Sequence, residues 1–199
     1  MTRPVLFFDL AGTLELRLPS GGWGLWPGAD VLLTNLAKDH DLHLTTGDSP
    51  AGARGFLGET GLAQNFKGIH AALPGGGKPF GAIAGELGVD PARCLAIGDN
   101  PVSDTAGDTD QVVTLLVDHG ENLVTADRVG EVVQWLGSEG SFLSTFEDQL
   151  KGFTSQGTTP IDFALSQAKL YEFEVGGGGL LGWWEKTAQS RRAVVMLSG

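Results

Sequence analysis

Residues 7–14 read Phe7-Phe8-Asp9-Leu10-Ala11-Gly12-Thr13-Leu14, and they close an apolar run that begins at Val5. A short run of apolar residues ended by a carboxylate and then a glycine describes a buried strand that stops at a tight turn. In an open parallel sheet the groups just past the strand C-termini converge on the ligand crevice. A carboxylate at that position can attack an electrophile or hold a metal; it can equally be mere punctuation at a strand end.

Outward from this stretch, apolar runs alternate with helical patterns. Val5–Phe8, Asp41–Thr45, Cys94–Ile97 and Val112–Val117 read as buried strands, and Ala29–Lys38, Pro50–Glu59, Pro79–Leu87 and Asp127–Leu136 fit helices. Strands alternating with helices imply an α/β fold, a doubly wound parallel sheet covered on both faces. Between the first strand and the first helix, residues 14–26 form an alternating segment, a Pro-Ser-Gly-Gly cluster and a second short segment, the pattern of a hairpin flap. Trp23 and Trp26 in that flap either wall a substrate site or pack on the core. Gly137-Ser138-Glu139-Gly140-Ser141 has linker composition, so the expected division is a core of residues 1–137 and a C-terminal extension of residues 138–199. The extension reads as a helix over 163–169 headed by Thr159-Pro160, then β segments at 170–175, 180–185 and 193–197. That is either a small α+β module or an antiparallel addition to the main sheet.

Composition narrows the classes. The chain has 199 residues, 41% of them hydrophobic and 19% charged, which suits a folded protein with a sizeable core. Its 13 basic against 24 acidic residues give a net charge of −11, which disfavours nucleic acid and anionic membranes as partners. No run of about 18 apolar residues suggests a membrane span, and the start Met1-Thr2-Arg3-Pro4 does not resemble a secretory leader. The expectation is a cytoplasmic protein. Cys94 lies in an apolar run and is expected to be a buried thiol; His43, His70 and His119 lack ligand spacing, and His40 stands between aspartates as a surface residue would.

The run around Asp9 resembles the first motif of the haloacid dehalogenase-like superfamily, a strand followed by D-x-x-G-T, and three further motifs come after it in order. Leu42-His43-Leu44-Thr45-Thr46-Gly47 resembles the second, a strand ending in a hydroxyl residue, with Thr46 or Thr45 as the hydroxyl. Gly77-Lys78-Pro79 at a helix start resembles the third, and Gly98-Asp99-Asn100-Pro101-Val102-Ser103-Asp104 resembles the fourth, G-D-x-x-x-x-D. The resemblance implies Asp9 as nucleophile, Thr46 and Lys78 as phosphoryl-binding groups, and Mg²⁺ held by Asp9, the Ala11 carbonyl and Asp99, with Asp104 supporting. The chemistry agrees: an anionic nucleophile approaching a phosphoryl group needs cationic help. Mg²⁺ takes oxygen donors, and a lysine offsets clustered carboxylates.

One departure matters. Relatives that hydrolyse phosphate esters usually read D-x-D, with the second aspartate protonating the leaving oxygen and then activating water; here that position is Ala11. The site then lacks a step worth about 10²- to 10⁴-fold, unless Asp48 or a carboxylate of the extension supplies it. D-x-A-G-T resembles phosphonoacetaldehyde hydrolases locally, yet residues 14–28 are too few for their helical cap and contain no lysine. The chain reads as capless or minimally capped. Two functional readings stand: a Mg²⁺-dependent phosphohydrolase or phosphotransferase for small phosphorylated substrates, slow or restricted to good leaving groups, and a non-catalytic module that binds Mg²⁺ and phosphate. Either could use the extension for homo-oligomer or protein contacts.

Overall fold

The computed structural model describes residues 2–18, 21–73, 77–105, 111–120, 122–138, 140–150, 169–175, 178–186 and 191–198; for 169–174, 183–186, 191 and 192 only the backbone is considered. The elements run β1 (Val5–Phe8), β2 (Glu15–Arg17), β3 (Trp23–Leu25), α1 (Ala29–Leu36), β4 (Asp41–Thr46), α2 (Pro50–Glu59), β5 (Phe66–Ala71), α3 (Phe80–Glu86), β6 (Cys94–Gly98), β7 (Val113–Asp118), α4 (Ala126–Leu136), α5 (Phe142–Leu150), β8 (Lys169–Val175), β9 (Gly178–Lys186) and β10 (Arg191–Ser198). An eight-stranded, mostly parallel sheet has the order β5-β4-β1-β6-β7-β10-β9-β8. β2 and β3 pair antiparallel as the separate flap hairpin that the sequence suggests.

Side-chain alternation along the central strands supplies both cores. Leu6, Phe8, Leu95 and Ile97 face one side with α1, α2, α4 and α5, while Val5, Phe7, Cys94 and Ala96 face the other with Phe80, Ile83 and Ala84 of α3. Strands covered on both faces read as continuous apolar runs, which is why the central strands are legible in the sequence. β5 is not. It is an edge strand, Phe66-Lys67-Gly68-Ile69-His70-Ala71, with no fully buried position, so its sequence lacks the run. α5 also falls outside the expectations, although Phe142, Leu143, Phe146 and Leu150 carry a helical apolar pattern.

The extension is an addition to the main sheet, as one of the two expectations has it, but the strand that joins it pairs in parallel. β10 adds to β7 in parallel, Ala193 opposite Val113 through Ser198 opposite Asp118, and only β9 and β8 beyond it run antiparallel. Its Ala193, Val195 and Leu197 join the main core. Arg128 of α4 ties the hairpin down by donating to the carbonyls of Val175 and Gly178, the latter at 2.7 Å. The helix expected over 163–169 lies outside the described residues except for Lys169, which opens β8.

Other expectations are corrected in detail. Trp26 is buried, donates its indole N–H to the Val124 carbonyl at 2.8 Å and meets His119 edge-on; it belongs to the core. Trp23 is exposed on the flap. His40 is not a simple surface residue: its ring stacks on Phe142 and bonds the Leu36 carbonyl. Cys94 is buried, and burial pushes its thiol up to about 12. Among the described residues no helix is long and apolar enough to cross a membrane.

Candidate active site

Parallel register builds the site. Phe8 stands opposite Leu44 on one side and Ile97 on the other, so Asp9, the Thr45-Thr46 pair and Gly98-Asp99 leave the sheet at one level. The Asp9 amide extends the ladder by donating to the Ile97 carbonyl at 2.8 Å. The chain then turns at Gly12, whose φ is +89°, a conformation that L side chains rarely adopt. A Cβ on Gly12 would collide with the Asp99 carboxylate, and one on Gly98 would collide with that of Asp104. Both glycines are required by close approach of carboxylates, which gives the D-x-x-G and G-D spacings a steric reason.

These segments surround a cleft of about 250 Å³ lined by Asp9, Ala11, Thr46, Asp48, Lys78 and Asp99, with Gly47, Asn100 and Ser103. Lys78 is buried just before α3, and its ammonium bonds the carboxylates of Asp9 and Asp104 together. A buried ammonium with two carboxylate partners is a satisfied charge. Asp104 is also held by the Asn100 amide at 2.9 Å and the Ser103 hydroxyl at 3.1 Å. Thr13, which the motif reading leaves without a role, is fully buried and donates to Asp99 at 3.2 Å and weakly to Asp9 at 3.5 Å.

Of the two candidate hydroxyls, Thr46 lines the cleft, whereas the Thr45 hydroxyl is directed to the Phe8 carbonyl at 3.4 Å. Thr46 Oγ1 accepts the Asp48 amide at 3.0 Å, which leaves its own proton for a ligand. Ser49 then caps α2 by accepting the Gly52 amide at 3.1 Å, with Pro50 in the first turn, so the helix starts directly after the cleft residues.

Electrostatics show what the cleft lacks. Burial, and then the Asp104 charge, push the Asp9 carboxyl up to about 7 despite the opposing pull of Lys78. Burial and Asp104 raise Asp99 as well. Asp9, Asp99 and Asp104 offer oxygens within 4.8 Å of one another. One ammonium against three clustered carboxylates leaves negative charge in excess, and an all-oxygen donor set beside a cleft suits a hard divalent cation of the Mg²⁺ type. The residues present therefore fit the metal. The structure brings together every residue singled out from the sequence: Asp9, Ala11, Thr46, Lys78 and Asp99 line the cleft, and Asp104 braces it from behind.

A doubly wound, mostly parallel sheet with an acidic, lysine-bridged cleft at its strand ends defines an α/β protein with its ligand crevice at the strand C-termini. Residues 5–107 match the family model of haloacid dehalogenase-like hydrolases, more than half of the chain, and the chain belongs to that family. No curated protein matches it in sequence. Among solved structures it is similar to a predicted phosphatase from Clostridium acetobutylicum, at 14% identity and a TM-score of 0.54, covering 67% of this chain and 99% of that one. It is similar also to a HAD-superfamily hydrolase from Ehrlichia chaffeensis, at 13% identity and a TM-score of 0.51, covering 67% and 97%. At such identities the likeness is one of fold.

Proposed function

We propose that the chain is a Mg²⁺-dependent phosphohydrolase or phosphotransferase that works in the cytoplasm on small phosphorylated substrates through an aspartyl phosphate at Asp9. The observation that carries this reading is the convergence of Asp9, Thr46, Lys78 and Asp99 on one cleft from four separate segments. Lys78 holds Asp9 in place, and with the Thr46 hydroxyl it offers donors to phosphoryl oxygens. Asp9 then bonds to phosphorus as the leaving oxygen departs. Asp9, Asp99 and the Ala11 carbonyl would hold the Mg²⁺, with Asp104 supporting, and the ion would offset the charge that otherwise keeps an anionic nucleophile from a phosphoryl group.

Ala11 has no proton to give, so the leaving oxygen must depart as a stable anion, and acyl and aryl phosphates are favoured over alkyl phosphates. The cleft lies open, without a lid among the described residues. The test is a panel of acyl, aryl and alkyl phosphates with Mg²⁺, using Asp9→Asn as the blank. Turnover that depends on Mg²⁺ and vanishes in Asp9→Asn is expected. Phosphate and Mg²⁺ binding without any turnover would support the non-catalytic reading, which Ala11 favours.

A further inference from the structure

Ala11 removes the usual group from both halves of the reaction, departure of the leaving oxygen and attack of water on the phosphoenzyme. Among the described residues, the ionisable side chains lining the cleft are Asp9, Asp48, Lys78 and Asp99. Asp9 is the nucleophile, Lys78 is bonded to Asp9 and Asp104, and Asp99 accepts from Thr13. Of the neutral lining residues, Asn100 Oδ1 accepts the amides of Val102 and Ser103, and Ser103 donates to Asp104. Asp48 remains. Its backbone is anchored by the amide bond to Thr46 Oγ1 and by the start of α2, and the residue is exposed where it lines the cleft.

Asp48 and Ala11 line the same cleft. Glu15 pairs with Ala11 through a backbone bridge, and the Gly12 amide donates to the Glu15 carbonyl at 2.8 Å. The Glu15 carboxyl is raised first by burial and then by the Asp48 charge, so the Asp48 side chain lies within electrostatic reach of the turn that carries Ala11. A carboxylate that lines the cleft and is open to solvent is placed to act on a water that enters it.

We propose that Asp48 is the general base for dephosphorylation, an assignment that rests on the phosphoenzyme reading above. A water oxygen bonds to phosphorus while the bond between phosphorus and the Asp9 oxygen breaks. The water proton passes to the Asp48 carboxylate, Asp9 recovers its carboxylate, inorganic phosphate leaves, and Asp48 returns the proton to solvent. The first half-reaction remains without an acid and keeps its demand for a good leaving group; the second is base-assisted. The division of the two roles between an absent side chain at position 11 and a present one at position 48 is the new feature.

The experiment is pre-steady-state and steady-state hydrolysis of p-nitrophenyl phosphate with Mg²⁺ by the full chain, by Asp48→Asn and by Asp48→Glu. In Asp48→Asn, kcat should fall roughly 10²-fold while kcat/KM stays within about twofold, because kcat/KM reports only steps through loss of the first product. A burst of one nitrophenol per site should appear, together with phospho-Asp9 trapped by acid quench. Asp48→Glu should restore turnover and abolish the burst. Unchanged kcat with no burst in Asp48→Asn overturns the assignment, and so does a parallel fall of kcat and kcat/KM without phosphoenzyme, which would make Asp48 a substrate-binding group. No Mg²⁺-dependent turnover by the unaltered chain on any phosphate overturns the phosphoenzyme reading and this assignment together. Turnover lost in Asp9→Asn but indifferent to Asp48 overturns this one alone.

Discussion

At the scale of single residues, the site is a contest between burial and charge. Asp9 and Asp104 share one ammonium, and burial, with the Asp104 charge adding to it, raises Asp9 to about 7. Such a donor set suits a cation, yet it contains nothing at position 11 that moves a proton. Ala11 lines the cleft, so a carboxylate placed there would reach it. Ala11→Asp is expected to raise kcat/KM for alkyl phosphates by roughly 10²-fold or more and to change aryl phosphates far less. Parallel kinetics on an alkyl and an aryl ester check this, and an unaltered ratio would show that the chain does not lack the acid.

At the scale of elements, β4 carries the cleft hydroxyl and is stapled to the edge strand β5 by histidines. His43 Nδ1 and His70 Nε2 lie 3.0 Å apart, and the absence of a side chain on Gly68 makes room for the His43 ring. Burial pushes His43 down to about 4, with His70 and Lys67 adding to the effect and Asp41 opposing it. The unfolded chain takes up this proton near pH 6.5, the ordinary value, whereas the folded chain resists until about pH 4. Between those values the unfolded state binds more protons, so stability is full above about pH 6.5 and falls as pH drops through the window. After allowance for solvent screening the loss is on the order of 2 kcal/mol. Urea unfolding across that range should show the loss, and His43→Gln should make the slope shallower. An identical slope in the variant would assign the acid sensitivity to other groups.

At the scale of the whole molecule, the sheet does not stop where the linker composition suggests. β10 stands between β7 and β9, with Val194 and Val195 buried, and Arg128 of α4 binds carbonyls at the turn between β8 and β9. We hold the division at residue 137 as a proposal about roles: residues 1–137 carry the site, and residues 138–199 complete the sheet and offer the surface for any homo-oligomer or protein partner. Removing the extension would leave β7 with an unpaired apolar edge, a template for association. A chain ending at Gly137 is therefore expected to aggregate and to melt earlier than the full chain. Size-exclusion chromatography and thermal melts decide, and equal solubility, stability and oligomeric state would make the first 137 residues an independent unit.

Much of the molecule is legible in the residues alone. The four central strands are apolar runs because both their faces are covered. The order of Asp9, Thr46, Lys78 and Asp99 along the chain, through its resemblance to the haloacid dehalogenase-like motifs, sets the expectation of a phosphoryl-transfer site without any coordinate. Local pattern reports how deeply a segment is buried and which kind of turn ends it, and these features depend on little else. It does not report partners. β5 is half exposed at an edge and leaves no apolar run; β10 reads as a strand, but its parallel seat beside β7 is a pairing of residues about eighty positions apart. Thr13, fully buried between two carboxylates, and Asp48, in the cleft lining with Ala11, gain their meaning from neighbours that only folding brings near. The sequence by itself determined the central strands, most of the helices around them and the chemistry available to them. Tertiary structure decided which hydroxyl enters the cleft, which tryptophan leaves it and which further carboxylate joins Ala11 in the lining, because each depends on long-range register and steric contact.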